Sequence, residues 1–341
     1  MSCTAHVATL AMLALVGTAC DRSPNTAAKG EGGVVQPPEP HDPAPTVRAP
    51  SDTQRLPNAA TETAPALTWH GTTATFATSA GQVSVELPGG PTRVDAAEAV
   101  ARVFAQVDRR VGLKRSGAEL LRIEKAAPNW VQVPDDVWWL LLQVNKATAR
   151  FGHGAAVTKG SVELDSAPPR ARLTVAGTRL QVATAARGYA LQLASEKLRM
   201  LGVSRFVAKV GSQWATGLEQ SAPEWRSTSA LTACAKVPQA LQYRLRAGAT
   251  AVWCKTDPSS PKHRRDSAPP PATAVVAVWH ASPIKAGLLA AALAHHGTGP
   301  GMKALAEIDG ADAAWVTEDG KALLSAGIRD DAQLQRRGKH P

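Results

Sequence analysis

Between Asp21 and Thr68 the chain carries nine prolines, many Ala and Thr, and no aromatic residue. Such a segment cannot bury enough apolar area to offset the entropy lost on folding. It is expected to be a disordered tether, so that about 270 of the 341 residues remain for a folded domain beginning near Trp69. With 44% hydrophobic residues overall, that remainder has a full core, and a wholly disordered or collagen-like chain is excluded. The formal charge of +10 is uneven: four basic against six acidic side chains in residues 21–68 leave +12 on the domain. A positive domain attracts anions in general. The nine Trp residues sit mostly within apolar runs and read as core, not as stacking platforms spaced among basic residues. Charge alone does not choose among a phosphorylated ligand, an anionic membrane surface, an acidic protein partner and nucleic acid; the Trp pattern disfavours nucleic acid.

Ahead of the tether, Val7 to Val16 is apolar or small throughout, the length of a signal-peptide core and too short to span a bilayer. Gly17-Thr18-Ala19-Cys20 follows, and small residues ending at Cys resemble a bacterial lipobox. On that reading residues 1–19 are a signal peptide and Cys20 carries lipid. Residues 20–68 then tether a domain spanning 69–330, followed by a basic tail at 331–341. The protein would be an exported lipoprotein on the periplasmic side of a bacterial envelope. The segment before the apolar run lacks Lys and Arg, which leaves an ordinary signal peptide cut near Ala19, or an unprocessed apolar tail, as alternatives. Of the four cysteines, Cys234 and Cys254 remain in the domain; outside the cytoplasm they can pair, but spacing does not show it. They are too few for a Cys-only metal site.

Alternation over Thr72 to Leu87, with Ser79-Ala80-Gly81 as the turn, predicts a hairpin. Apolar residues at helical spacing predict a helix over Ala96 to Val111 and a second one beginning at Pro134 after a short strand at Trp130 to Val133. Leu173 and Leu180, either side of Gly177, predict another hairpin. Thr184 is expected to cap a helix that Gly202 stops. Strands are predicted at Phe206 to Val210, Ala240 to Arg246, Ala249 to Cys254 and Val275 to Trp279, then a helix from Ser282-Pro283 to His296-Gly297. Ala313 to Val316 and Leu323 to Ser325 complete the set. Hairpins interspersed with helices indicate an α+β fold, antiparallel sheets with packed helices.

No self-contained catalytic motif is present. What remains is an ordered constellation: Arg187-Gly188-Tyr189 on a helix, Gly211-Ser212-Gln213 after the next strand, Cys254-Lys255-Thr256-Asp257-Pro258, and Ala286 to Ala291 on a later helix. This order resembles the FAD:protein FMN transferases, the ApbE-like flavin transferases, which are commonly exported lipoproteins. The resemblance covers about Val94 to Ile328. It sets the four segments beside the family's Lys-Gly-Tyr-x-x-Asp, Gly-Gly-Asp, His-x-x-Asp-Pro and Ala-Asp-x-x-x-Thr. Ser116 to Glu124 is similar to a Ser-Glu-x-x-x-x-Asn stretch, and Gly154-Ala155 to a Gly-Ala-Phe-Asp turn.

The resemblance implies Mg²⁺-dependent transfer of FMN from FAD to a Ser or Thr hydroxyl of an acceptor, for example a flavoprotein subunit. Arg187, Gly188, Tyr189, Gly211 and Ser212 stand at the flavin-binding positions, and Cys254 and Asp257 at the catalytic ones. The metal-ligand positions are Gly287 and Ala291, which keep the four-residue spacing on one helix face and offer no side-chain oxygen. Arg187, in the first helical turn, keeps the charge of the family's Lys and suits a phosphate. Cys254 replaces His and would act as a base only with a lowered thiol pKa. Asp257 also reads as a turn residue before Pro258. His295-His296 reads as a helix end, and Lys262-His263-Arg264-Arg265 as a solvated loop. Three functions compete: an active transferase with a rearranged site, a degenerate relative that keeps the fold and flavin binding, and an envelope interaction module without ligand. The degenerate relative is preferred, because every motif is altered.

Overall fold

The computed structural model describes residues 64–90, 92–151, 160–217, 225–227, 234, 240–255, 273–330 and 332–335. The chain begins with β1 (Thr68–His70), β2 (Thr73–Thr78) and β3 (Gly81–Glu86), then α1 (Arg93–Arg110) and α2 (Ala118–Ala126). Next come β4 (Val131–Gln132), α3 (Asp135–Phe151), β5 (Val162–Ser166), β6 (Pro169–Leu173) and α4 (Ala183–Met200). The second half holds β7 (Val207–Val210), β8 (Gln213–Thr216), β9 (Trp225–Ser227), β10 (Ala240–Arg244), β11 (Gly248–Cys254) and β12 (Thr273–His280). It ends with α5 (Pro283–His296), α6 (Thr298–Ala306), β13 (Asp312–Thr317), β14 (Ala322–Leu324) and β15 (Ala332–Gln335).

Nine strands form one sheet in the order β1-β2-β3-β7-β8-β11-β12-β13-β14, and two three-stranded sheets, β15-β10-β9 and β4-β6-β5, lie beside it. The strand pairs are antiparallel, which bears out the α+β expectation. β12 is buried along its whole length because its two faces meet different layers. Val275, Ala277 and Trp279 join Leu241 and Tyr243 of β10, whereas Val276 and Val278 join Leu289 and Leu293 of α5. Successive residues of a strand point to opposite faces, so a central strand of a three-layer packing is apolar throughout. On the other half of the sheet, Ala74, Phe76, Val83 and Val85 pack under α1 and α4. Among the described residues, no helix is long and apolar enough to cross a membrane.

The structure corrects three expectations. Leu173 does not pair with Leu180 across Gly177: β6 pairs with β5 around Ala167-Pro168, and the backbone N–H of Leu180 goes to the Glu124 carboxylate at 2.8 Å. Thr184 is not the cap of α4, which starts at Ala183 behind Val182 with no side-chain cap bond. The fold also runs past residue 330, because β15 adds to β10 in register, Leu241 against Leu334 and Tyr243 against Ala332.

Helices α4 and α5 meet at Gly188. A Cβ there would lie 2.6 Å from the Pro283 carbonyl oxygen and 2.7 Å from the Ile284 Cα, both backbone atoms that cannot swing aside. Gly188→Ala is expected to cost about 1–3 kcal/mol through forced separation of the helices, read as a lower urea midpoint. The exposed Gly299→Ala, which has open space around it, should change stability little.

Candidate functional site

Three of the four motif segments converge where α4 begins, β7 turns into β8, and the middle of α5 crosses the sheet. The β7–β8 hairpin turns on Gly211-Ser212, with Val210 opposite Gln213. Gly211 supplies φ 58°, a left-handed conformation that glycine adopts without steric cost. Against this turn lies Arg187: a Cβ at Gly211 would sit 3.6 Å from its Nη1. Arg187 is only 8% exposed, and its Nε donates to the Leu113 carbonyl at 3.0 Å. It stands on the second turn of α4, not the first, so it is turned into the fold and ties the loop before α2 to the β7–β8 hairpin.

Tyr189 is likewise directed inward. Its hydroxyl donates to Asp136 Oδ2 at 3.4 Å, and Asp136 in turn receives both Arg110 Nη atoms, at 2.7 and 2.8 Å. Its ring lies 6.2 Å from that of Trp139. Tyr189, Asp136 and Arg110 thus join α4, α3 and α1. The Glu124 carboxylate, in the segment Ser116 to Glu124, accepts from the Ser116 hydroxyl at 2.6 Å and from Leu180 N, which again is a structural use.

Gln213, not among the expected site residues, stands at the centre of the convergence. Alternation along β8 places it with Ala215 on the helix side of the sheet and Trp214 on the other. That alternation was the signal for it, hidden by the shortness of the strand. Its Nε2 donates to the Thr184 carbonyl at 3.0 Å. A Cβ added to Gly287 would meet this Nε2 at 3.0 Å, so the glutamine amide fills the space over the glycine. Its Oε1 is buried with no hydrogen-bond partner among the described residues.

Among the described residues, the positions that converge here offer Mg²⁺ no carboxylate. A hard cation needs several oxygen ligands, commonly carboxylates. Gly287 and Ala291 provide none, and a neutral amide stands on Gly287. Asp257, Gly154-Ala155 and the Lys262 to Arg265 run lie outside the described residues, as does Cys20.

Cys254 is not a base. It is disulfide-bonded to Cys234 with the Cα atoms 5.3 Å apart, and both residues are buried in the layer between β11 and β10. A sulfur in a disulfide has no thiol to titrate. Lys255, next in sequence, ion-pairs with Glu318. His296 donates to the Phe151 carbonyl at 2.5 Å and closes α5 onto the end of α3. The groups with displaced pKa values lie elsewhere. Burial, then the charge of Arg226, pulls the Lys209 ammonium down; burial pushes the Tyr243 phenol up. Two surface clefts, of about 170 and 410 Å³, contain none of the motif residues.

An antiparallel nine-stranded sheet under four helices, with three of the motif segments meeting at the start of α4, defines the fold. Solved structures agree. The chain is similar to the flavinyl transferase ApbE of Pseudomonas stutzeri, with a TM-score of 0.58 at 16% identity over 79% of this chain and 99% of that one. It is similar to the flavin transferase ApbE of Vibrio cholerae, with 0.57 at 14% over 79% and 99%. It is also similar to the ApbE protein of Thermotoga maritima, with 0.56 at 12% over 81% and 100%. No family model matches the chain, and no curated protein matches it in sequence. The chain has the ApbE fold.

The disulfide closes a loop between residues 20 apart in sequence. Opening it with Cys234→Ala and Cys254→Ala together is expected to cost about 3 kcal/mol through the freed unfolded chain. Urea unfolding of parent and variant, with and without reductant, checks this: reductant should lower the parent and leave the variant unchanged.

Proposed function

We propose that this chain is a flavin-transferase-like protein that no longer performs metal-dependent transfer of FMN from FAD to an acceptor hydroxyl. The observation that carries this reading is Gln213, whose neutral amide occupies the space over Gly287 where the resemblance puts a metal-binding carboxylate. Loss of the base fits the same picture, since the position of the motif histidine holds a disulfide-bonded Cys254. The +12 charge of the chain beyond residue 68 still suits a diphosphate, so FAD held without metal is the ligand of this reading. A second reading, an envelope interaction module with an acidic partner and no ligand, is favoured by Arg187. Its guanidinium is buried and bonded to Leu113, not presented to solvent.

Incubating the purified chain with FAD and a Thr-containing acceptor distinguishes these readings. The expected result is bound flavin absorbance that a chelator does not change, and no covalent flavin on the acceptor with or without Mg²⁺. Metal-dependent covalent labelling would overturn the proposal, and absence of any flavin binding would select the interaction module.

The proposed place of work is the membrane surface, through lipid on Cys20. In a bacterial host, Cys20→Ala is expected to move the protein from the membrane to the soluble fraction. A Cys20→Ala protein that stayed with the membrane would remove Cys20 as the anchor.

A further inference from the structure

At the end of the molecule away from Gln213, the loop after β3, the start of α1 and the link from α4 to β7 enclose a cleft of about 170 Å³. Arg93 and Arg205 line it, together with the hydroxyl-bearing Thr92 and Ser204 and the exposed Gly89. Arg199, in the last turn of α4, stands close by in the chain. Eight other arginines, at 102, 110, 122, 150, 170, 172, 226 and 246, each lie within 4.0 Å of a carboxylate. Arg93, Arg199 and Arg205 have no such partner among the described residues. Asp95 shares the first turn with Arg93 but is two residues away, and residues so spaced do not face each other on a helix.

Exposed aliphatic side chains flank the same lining in the chain. Of the seven large hydrophobic side chains exposed among the described residues, three adjoin its lining in the chain: Val94 at 47%, Met200 at 75% and Leu201 at 38%. Guanidinium groups with no carboxylate partner among the described residues, neighboured by exposed aliphatic side chains, match an anionic bilayer surface, where the charges meet headgroups and the aliphatic groups enter the interface. Trp69 of β1 stacks on the Arg93 guanidinium at 4.3 Å and holds it at the mouth of the cleft.

We propose that this end of the domain is a contact surface for anionic phospholipid, with one headgroup phosphate held between Arg93 and Arg205 and with Val94, Met200 and Leu201 against the acyl boundary. The orientation rests on the reading of Cys20 as a membrane anchor. It is independent of the flavin reading, since no motif residue lines the cleft.

The test uses the full chain carrying Cys20→Ala, so that no acyl chain contributes. Sedimentation is measured with vesicles of phosphatidylcholine alone and of phosphatidylcholine with phosphatidylglycerol. Binding is expected to the anionic vesicles only. Arg205→Ala should lower partitioning about fivefold and Arg199→Glu with Arg205→Glu well over tenfold, with unchanged thermal unfolding. Met200→Asp should lower it as well, which a purely electrostatic attraction would not require. Equal binding to neutral and anionic vesicles, or no effect of the Arg199 and Arg205 changes, would overturn the proposal. Saturable inorganic phosphate binding at the cleft without vesicle binding would overturn it in favour of a soluble phosphate ligand.

Discussion

The contact of α4 with α5 at Gly188 sets the geometry on which the rest of this domain depends. With no Cβ between them, the second turn of α4 and the first turn of α5 touch through backbone. That closeness brings Gly287 over β8, where the Gln213 amide bridges the space to the Thr184 carbonyl. A wider separation would open a gap beneath α5 and leave the amide without its second wall. One missing side chain therefore decides whether the centre of the fold is a cavity or a packed seam.

Seen from that seam, the motif positions share a fate. Arg187 serves the loop before α2, Tyr189 serves the Asp136–Arg110 pair, and Cys254 serves the layer between β10 and β11. Each retains a polar or reactive group type, and each spends it on a neighbour within the chain. Buried polar groups must be satisfied locally, and a site that no longer has to leave valences open for a ligand can satisfy them from the protein itself. Among these motif positions, the Gln213 Oε1 stands apart, buried with no hydrogen-bond partner among the described residues.

Elements with strong local signals were legible. The end residues of α5 are announced by Ser282-Pro283 and Gly297, and β12 by its unbroken apolar run. The misread hairpin at Leu173 shows the limit: alternation alone did not say which neighbour the strand would choose. A better signal was present, since acidic Glu163 and Asp165 alternate on β5 against basic Arg172 and Arg170 on β6, and these pairs form across the strands. In the site, the order of the motifs foretold which segments meet. It could not foretell that Arg187 and Tyr189 point into the fold, because helix start and rotation are set by tertiary docking at Gly188 and not by a capping residue. Gln213 lies within its motif segment, but a four-residue strand carries too little periodicity to say that its side chain would face α5.

The addition of β15 to β10 has a consequence in time. β10 is the middle strand of its sheet, bordered by β9 on one side and by Ala332–Gln335 on the other. A chain emerging from its amino terminus, whether from a ribosome or through an export channel, holds every other described strand before it holds this one. The layer over Trp214 and Trp279 therefore stays one strand short until residues 332–335 have been delivered, and losing them would bare the side of β10 that β15 covers.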